Sequence, residues 1–446
     1  MSMLQFLIAV DVTVVNIALP SIGADLGVDG HSLTWVVVGY TITGGGLLML
    51  GGSLGDLLGR SRTLLVGTAL FAAASLLAGL APSFPVLVVA RLAQGAGEAI
   101  ALPAAMATIV LMFPEGPRRS RALSVWAAVA SCGLVLGFAL SGVITAHLGW
   151  RWIFLISVPF TLVVLVAALV LVQADRPASR ERARPDLPGA LLLTACPLLF
   201  AYAAVEAGEP GTSAWVSLAA LAGAVLAAAG FVRVESRSPA PLVPPAFFAD
   251  RARVRANLTT MLLSGSLSTS FLLFTFYLQD RLGIGPLGAG LTMLPLAVAL
   301  IAASVLVPRL LGGWGARTCV LAGLGAAAGA MTVIAFVAAL DAGAAWLLPA
   351  MLLIAAGMGF GLVGLQYIAV GGTTDEDAGI ASGVQRAADQ LGGAGGVAVH
   401  VGIGFSPAVH AGDPFLIAAV LAIGGLAVGA VVISRSPATE VQAPAE

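Results

Sequence analysis

Asp11, Arg91, Gln94 and Glu98 are polar side chains set inside stretches that are otherwise apolar. Asp11 falls about eight residues into the first such stretch, ~12 Å deep if each helical residue rises 1.5 Å. Arg91, Gln94 and Glu98 follow an i, i+3, i+7 spacing and share one face of a helix. An ionisable group surrounded by hydrocarbon must face a bundle interior or a wet cavity, which makes it a functional candidate. Such groups can pair, hold a polar solute or exchange a proton. Glu98 has two readings, as a second titratable acid or as a partner for Arg91. Further along, Arg386 and Asp389 stand at i, i+3 and can form an intrahelical ion pair; the alternative is that Asp389 is itself a coupling acid.

Other chemistry is sparse. His31, His147 and His410 are expected in outer loops, and His400 stands alone in a Gly-rich helix. No metal-ligand set and no nucleophile–base pair emerges, so neither an enzyme nor a resident cofactor or metal is expected. Gly392-Gly393-Ala-Gly395-Gly396 does not read as a phosphate loop, because all 21 basic residues are Arg and the essential Lys is missing. Cys132, Cys196 and Cys319 lie in or beside apolar runs without CxxC spacing, and read as small buried hydrophobes.

Composition says what must carry these residues. Apolar residues make up 59% of the 446 and charged residues only 10%, against roughly 25% charged in soluble domains. So few charges cannot cover a globular surface, and lipid must be the solvent over most of the exterior. A net charge of -1 gives nucleic acid no basic face to bind. The first apolar run has no basic leader and contains Asp11, so it reads as a helix and not as a cleavable signal. About 20 apolar residues cross a bilayer. On that measure fourteen runs follow one another, from Met3–Pro20 to Pro414–Ile433, with the thirteenth at Ile380–Phe405 rich in glycine.

With fourteen crossings, every Arg except Arg91, Arg151 and Arg281 falls on one side, which the positive-inside rule makes cytoplasmic along with both termini. The polar stretches Gln173–Pro188 and Glu235–Arg255 divide the chain. Residues 1–175 are expected to form one six-helix bundle and 254–436 another. Between them 176–253 would supply two extra helices, with 437–446 as a cytoplasmic tail.

Several motifs then carry a resemblance. Gly51-Gly-Ser-Leu-Gly55-Asp56-Leu-Leu-Gly59-Arg60-Ser-Arg62 resembles the GxLaDrxGrkxxl loop of the major facilitator superfamily. Arg91-Leu-Ala-Gln94-Gly95-Ala-Gly97 is similar to its RxxQGxG motif. Asp11-Val-Thr13-Val-Val-Asn16-Ile-Ala18-Leu19-Pro20 resembles lDxTvvNvALP of the drug:proton antiporters, and Trp150-Arg151-Trp152-Ile153-Phe154 the WRWiF of their fourteen-helix EmrB/QacA subgroup. The resemblance covers nearly the whole chain. It implies an all-α polytopic major facilitator fold of two six-helix bundles plus two helices, in the cell membrane, working by alternating access. The implied activity is proton-coupled efflux of amphipathic drugs or secondary metabolites by a monomer, with an uptake carrier or uniporter as the alternative. A membrane-embedded sensor or enzyme is the alternative of another class. Asp11, Arg91 and Glu98 would couple protons, Gly55, Asp56, Gly59 and Arg60 would form a conformational gate, and Asn16, Gln94, Gly137 and Phe138 would border the substrate pathway.

Two stretches depart from the family pattern. Where antiporters carry gxxxGPxxGG, this chain has Gly133-Leu-Val-Leu-Gly137-Phe138-Ala-Leu-Ser141-Gly142; without the proline the helix keeps its backbone bond and is expected to kink less. Where the family has GlqNaaRQlGg, Arg386 takes the Asn position and Asp389 the Arg position.

Overall fold

A computed structural model describes residues 1–113, 116–171, 186–206, 213–373, 375–406 and 412–436. Helix dominates the described residues and no strand occurs among them. In chain order come α1 (Ser2–Leu26), α2 (Gly30–Leu58), α3 (Arg60–Gly79), α4 (Phe84–Met112) and α5 (Pro117–His147), then α6 (Arg151–Leu155) and α7 (Ser157–Leu171), two parts of one apolar stretch. Two further helices follow, α8 (Leu187–Glu206) and α9 (Ala214–Glu235). The remainder are α10 (Arg251–Phe276), α11 (Pro286–Thr292), α12 (Leu294–Trp314), α13 (Ala316–Ala339), α14 (Leu348–Ala356), α15 (Val363–Val370), α16 (Asp375–Gly404) and α17 (Pro414–Ser434).

Local sequence explains the helix starts. Asp29, Asp250 and Asp413 each accept a hydrogen bond from backbone N–H groups in the first turn, capping α2, α10 and α17. Proline occupies the first turn of α4, α5, α12, α14 and α17, where its missing N–H costs nothing. His31 belongs to the first turn of α2 and is buried, not in a loop as its sequence position suggested.

Twelve stretches among the described residues are long and apolar enough to cross a membrane. The expected fifth and thirteenth runs are continuous helices, α5 of 31 residues and α16 of 30. Past Arg118, Arg119 and Arg121, α5 is apolar and uncharged as far as His147, whereas α16 falls short in hydropathy because it carries Asp375, Glu376, Asp377, Arg386 and Asp389 among many glycines.

The chain separates into two compact units. Unit 1 comprises Met1–Leu198, Ala224–Leu242 and Gly285–Leu291; unit 2 comprises Leu199–Gly223, Val243–Ile284 and Thr292–Glu446. In unit 1 the close approaches are made by glycine. A Cβ on Gly51 would overlap the Ala99 backbone of α4, and one on Gly137 would overlap Thr13 of α1. Such small-residue contacts let helix backbones meet where lipid gives no hydrophobic push.

Candidate functional site

Four helices of unit 1 bring the sequence-selected polar residues together. Arg91 on α4 donates through Nη1 to Asp11 Oδ2 on α1 at 2.6 Å, and to Gln94 Oε1 at 2.9 Å. Its Nε donates to the Val36 carbonyl on α2 at 2.9 Å. Gln94 Nε2 donates to Asp11 Oδ1 at 3.3 Å and to Ser75 Oγ on α3 at 2.8 Å. Exposure is 2% for Asp11, 1% for Arg91 and 0% for Gln94, so the pair is removed from solvent.

Two aromatic rings complete the enclosure. The Arg91 guanidinium carbon lies 4.1 Å from the Tyr40 ring centroid and 5.7 Å from that of Phe154, distances at which a ring quadrupole attracts a cation. Glu98 is also buried and lies within electrostatic reach of Tyr40. Tyr40, Ser75 and the Val36 carbonyl carry no signal in the sequence. Tyrosine and serine are ordinary in helices, and a backbone acceptor leaves no trace in residue type.

A cavity of ≈ 330 Å³ opens between α1, α5 and the α6–α7 passage, lined by Phe6, Val10, Leu140, Ile153 and Phe160 among others, with Asp11 in its wall. Of the residues expected to border a pathway, none but Asp11's immediate partner Gln94 touches this acid among the contacts described. Asn16 is buried on α1 and donates to the Val12 carbonyl at 3.2 Å. Gly137 lies against Thr13, and Phe138 is 1% exposed within the packed interior. Here α5 is one helix from Pro117 to His147. Ser141 Oγ donates to the Val14 carbonyl, adding a bond between α5 and α1.

At one end of unit 1, Arg151 Nη1 pairs with Asp25 Oδ2 at 2.5 Å and its Nη2 donates to the Ala81 carbonyl at 3.3 Å. Trp150 Nε1 donates to the same Asp25 oxygen at 3.1 Å. In unit 2, Arg281 pairs with Asp341 at 2.6 Å and with Asp413 at 2.5 Å. Each of the two Arg residues assigned to the outer side is thus clamped by acids.

The Major Facilitator Superfamily profile matches residues 1–397. The chain belongs to that superfamily. The lincomycin resistance protein of Streptomyces lincolnensis is 49% identical over 450 residues, covering 100% of this chain and 92% of that protein. The cephamycin export protein CmcT of Amycolatopsis lactamdurans is 38% identical, covering 92% of this chain and 87% of that protein. An auto-inhibited POT family peptide transporter superposes with a TM-score of 0.70 at 16% identity, covering 100% of this chain and 97% of that one, a likeness of fold alone.

Within this major facilitator protein the loop motif has distinct parts. Gly59 separates α2 from α3 at φ 90°, a conformation that L side chains rarely adopt. Thr63 Oγ1 donates to the Leu54 and Gly59 carbonyls at 3.1 and 3.0 Å, fastening the turn. Gly55 has room for a Cβ, with the Arg60 Cγ 3.8 Å away. The Asp56 side chain lies outside the described residues. Gly315, between α12 and α13, repeats the Gly59 geometry at φ 78°. Arg386 and Asp389 are not brought into contact. Arg386 is exposed, and Asp389 instead accepts a hydrogen bond from Ser264 Oγ on α10 at 2.5 Å. His400 is not isolated either, since its Nδ1 shares a hydrogen bond with Thr269 Oγ1 at 2.9 Å.

Proposed function

We propose that this chain is a proton-coupled efflux carrier for antibiotic-like amphipathic compounds, with Asp11 as the proton carrier and Arg91 as its switchable partner. The observation that carries this reading is the Asp11–Arg91–Gln94 network, enclosed in an apolar unit. A paired carboxylate in such a place neutralises a fixed cation. Protonation of Asp11 releases Arg91 to its other acceptors, the Val36 carbonyl and Gln94, and so couples proton uptake to a change in helix contacts. Glu98, buried and in electrostatic reach of Tyr40, would tune this exchange. The apolar cavity with one carboxylate in its wall suits the apolar part of an amphipathic solute. The curated relatives, one named for lincomycin resistance and one for cephamycin export, support outward movement of antibiotics.

The same reading places fourteen crossings in the cell membrane, with both termini cytoplasmic, in a monomer. The bundles are 1–175 and 254–436, the linker pair is 176–253, and Gly55, Asp56, Gly59 and Arg60 serve as a gate. The two clamps support the count. Arg151 meets the far ends of α1 and α3, which fits a crossing by α5. Arg281 meets Asp341 and Asp413, which fits a crossing by α16 back to the end where α17 begins.

The test uses inside-out membrane vesicles and lincomycin. An imposed pH gradient, acid inside, should drive lincomycin accumulation that a protonophore abolishes and Asp11→Asn eliminates. Accumulation that persists with the protonophore, or with Asp11→Asn, would refute proton coupling through this acid. Unaltered susceptibility of cells to lincomycin and to a wide antibiotic panel would refute efflux.

A further inference from the structure

In unit 2, α10 and α16 are joined by side-chain hydrogen bonds spaced along their length. Gln385 Nε2 donates to Thr260 Oγ1 at 2.7 Å, Ser264 Oγ donates to Asp389 Oδ1 at 2.5 Å, and Thr269 meets His400 at 2.9 Å. Glycines draw the two backbones together between these links. A Cβ on Gly392 would overlap the Met261 backbone, and one on Gly396 would overlap Gly265. Asp389 lies 14 residues beyond the first residue of α16, ~21 Å along a helix rising 1.5 Å per residue, and so at its middle.

The surroundings of this carboxylate are nearly free of charge. On its own helix Arg386 acts through space while its side chain is exposed, and His400 is 11 residues away, ~16 Å along the axis. Among the described residues of the packed elements, α10 bears charge only in its first turns. There Arg253 is held by Asp250 and the Ala369 carbonyl, and Arg255 by the Arg435 carbonyl. α15 presents Tyr367, α17 carries no titratable side chain before Arg435, and the end of α8 carries Tyr202 and Glu206, adjoining Gly395 and Gly402 further along.

The contrast with Asp11 is chemical. A guanidinium only donates, so Arg91 serves only the ionised form of Asp11. A hydroxyl donates to a carboxylate and accepts from a carboxylic acid, so Ser264 serves both forms of Asp389 without rearrangement of either helix. Asp389 also retains some accessible surface, while Ser264 is 3% exposed, leaving the acid open to proton exchange and its partner fixed.

We propose that Asp389 is a second proton-binding site, taking up and releasing one proton per cycle, with Ser264 as its positioning residue. This rests on the proton-coupled reading, so the experiment has one arm that depends on that reading and one that does not. The independent arm is an infrared pH titration of the purified protein in lipid, following the carbonyl stretch of protonated carboxyl groups. A titrating band should vanish in Asp389→Asn and survive in Asp11→Asn. Ser264→Ala should move its frequency and midpoint, and Ser264→Thr should restore them. No band lost in Asp389→Asn, or a band that does not titrate, would overturn the proposal.

The dependent arm is lincomycin accumulation in inside-out vesicles. One proton fewer per substrate lowers the attainable accumulation about tenfold for a one-unit pH gradient, so Asp389→Asn should fall short of the parent by that factor. Equal accumulation would overturn the proposal. If the parent itself ignores the gradient, the coupling reading fails, while the infrared titration still decides whether Asp389 binds a proton.

Discussion

Asp11 and Arg91 are unequal partners, because each leaves a different residue behind when removed. Asp11→Asn leaves a guanidinium that keeps the Val36 carbonyl, Gln94 Oε1 and the Tyr40 and Phe154 rings. Arg91→Ala leaves a buried carboxylate with Gln94 alone, and also empties the space between two rings. Breaking a buried pair typically costs about 3–5 kcal/mol. Asp11→Asn should therefore give folded protein in near-parental yield without coupled transport, whereas Arg91→Ala should reduce the yield severalfold in detergent. Gel-filtration profiles of fluorescent fusions check this, and equal loss in both variants would contradict the asymmetry. These charged residues are legible in the sequence because a charge in an apolar run stands out. Ser75 and Tyr40 are not, since nothing in sequence separates them from other hydroxyls. The i, i+3 spacing of Arg386 and Asp389 allows a pair, but a neighbouring helix offers Asp389 a hydroxyl while Arg386 stays exposed.

At the scale of elements, glycine has two separate uses. Gly59 and Gly315 stand at φ 90° and 78° between consecutive helices, where a Cβ is strained whatever the space around it. Gly52 and Gly313 lie within helices, where an added Cβ would meet nothing within 4 Å. Holding a non-glycine residue in this positive-φ, extended region costs on the order of 1–3 kcal/mol, while Ala in place of helical Gly gains up to about 1 kcal/mol. Gly59→Ala and Gly315→Ala should thus lower the thermal midpoint in detergent, and Gly52→Ala and Gly313→Ala should hold or raise it. Equal effects in all four would remove the conformational argument for the Gly59 turn. The motif shows that a turn lies here, but not that Gly55 has room to spare. Most helices are legible in place because apolar runs of bilayer length have few other uses. The partitions into α6 and α7, and into α14 and α15, are not, because hydropathy averages over such breaks.

For the whole molecule, charge and contact geometry bear on the same question of how often the chain crosses. If α5 and α16 did not cross, everything between them would change sides. Arg281 apart, the eleven Arg residues from Arg176 to Arg317 would then face outward, against the positive-inside rule. The clamps bear on the same choice. Asp25, Ala81 and Arg151 meet in unit 1, and Arg281, Asp341 and Asp413 meet in unit 2, although an even number of passages separates each set only when both helices cross. The polarity that lowers the hydropathy of α16 has a physical explanation in its packing. α16 lies against α10 through Gly392 and Gly396, a face that meets protein instead of lipid, and α5 lies against α1 through Gly133 and Gly137. Single cysteines in a cysteine-free background separate the alternatives. A cysteine within 176–184 should resist a membrane-impermeant maleimide in intact cells and react once the membrane is opened, whereas Asp341→Cys should react in both. Reaction of the 176–184 cysteine in intact cells, with protection at position 341, would establish the twelve-crossing topology and invert the orientation of every helix from α6 to α15.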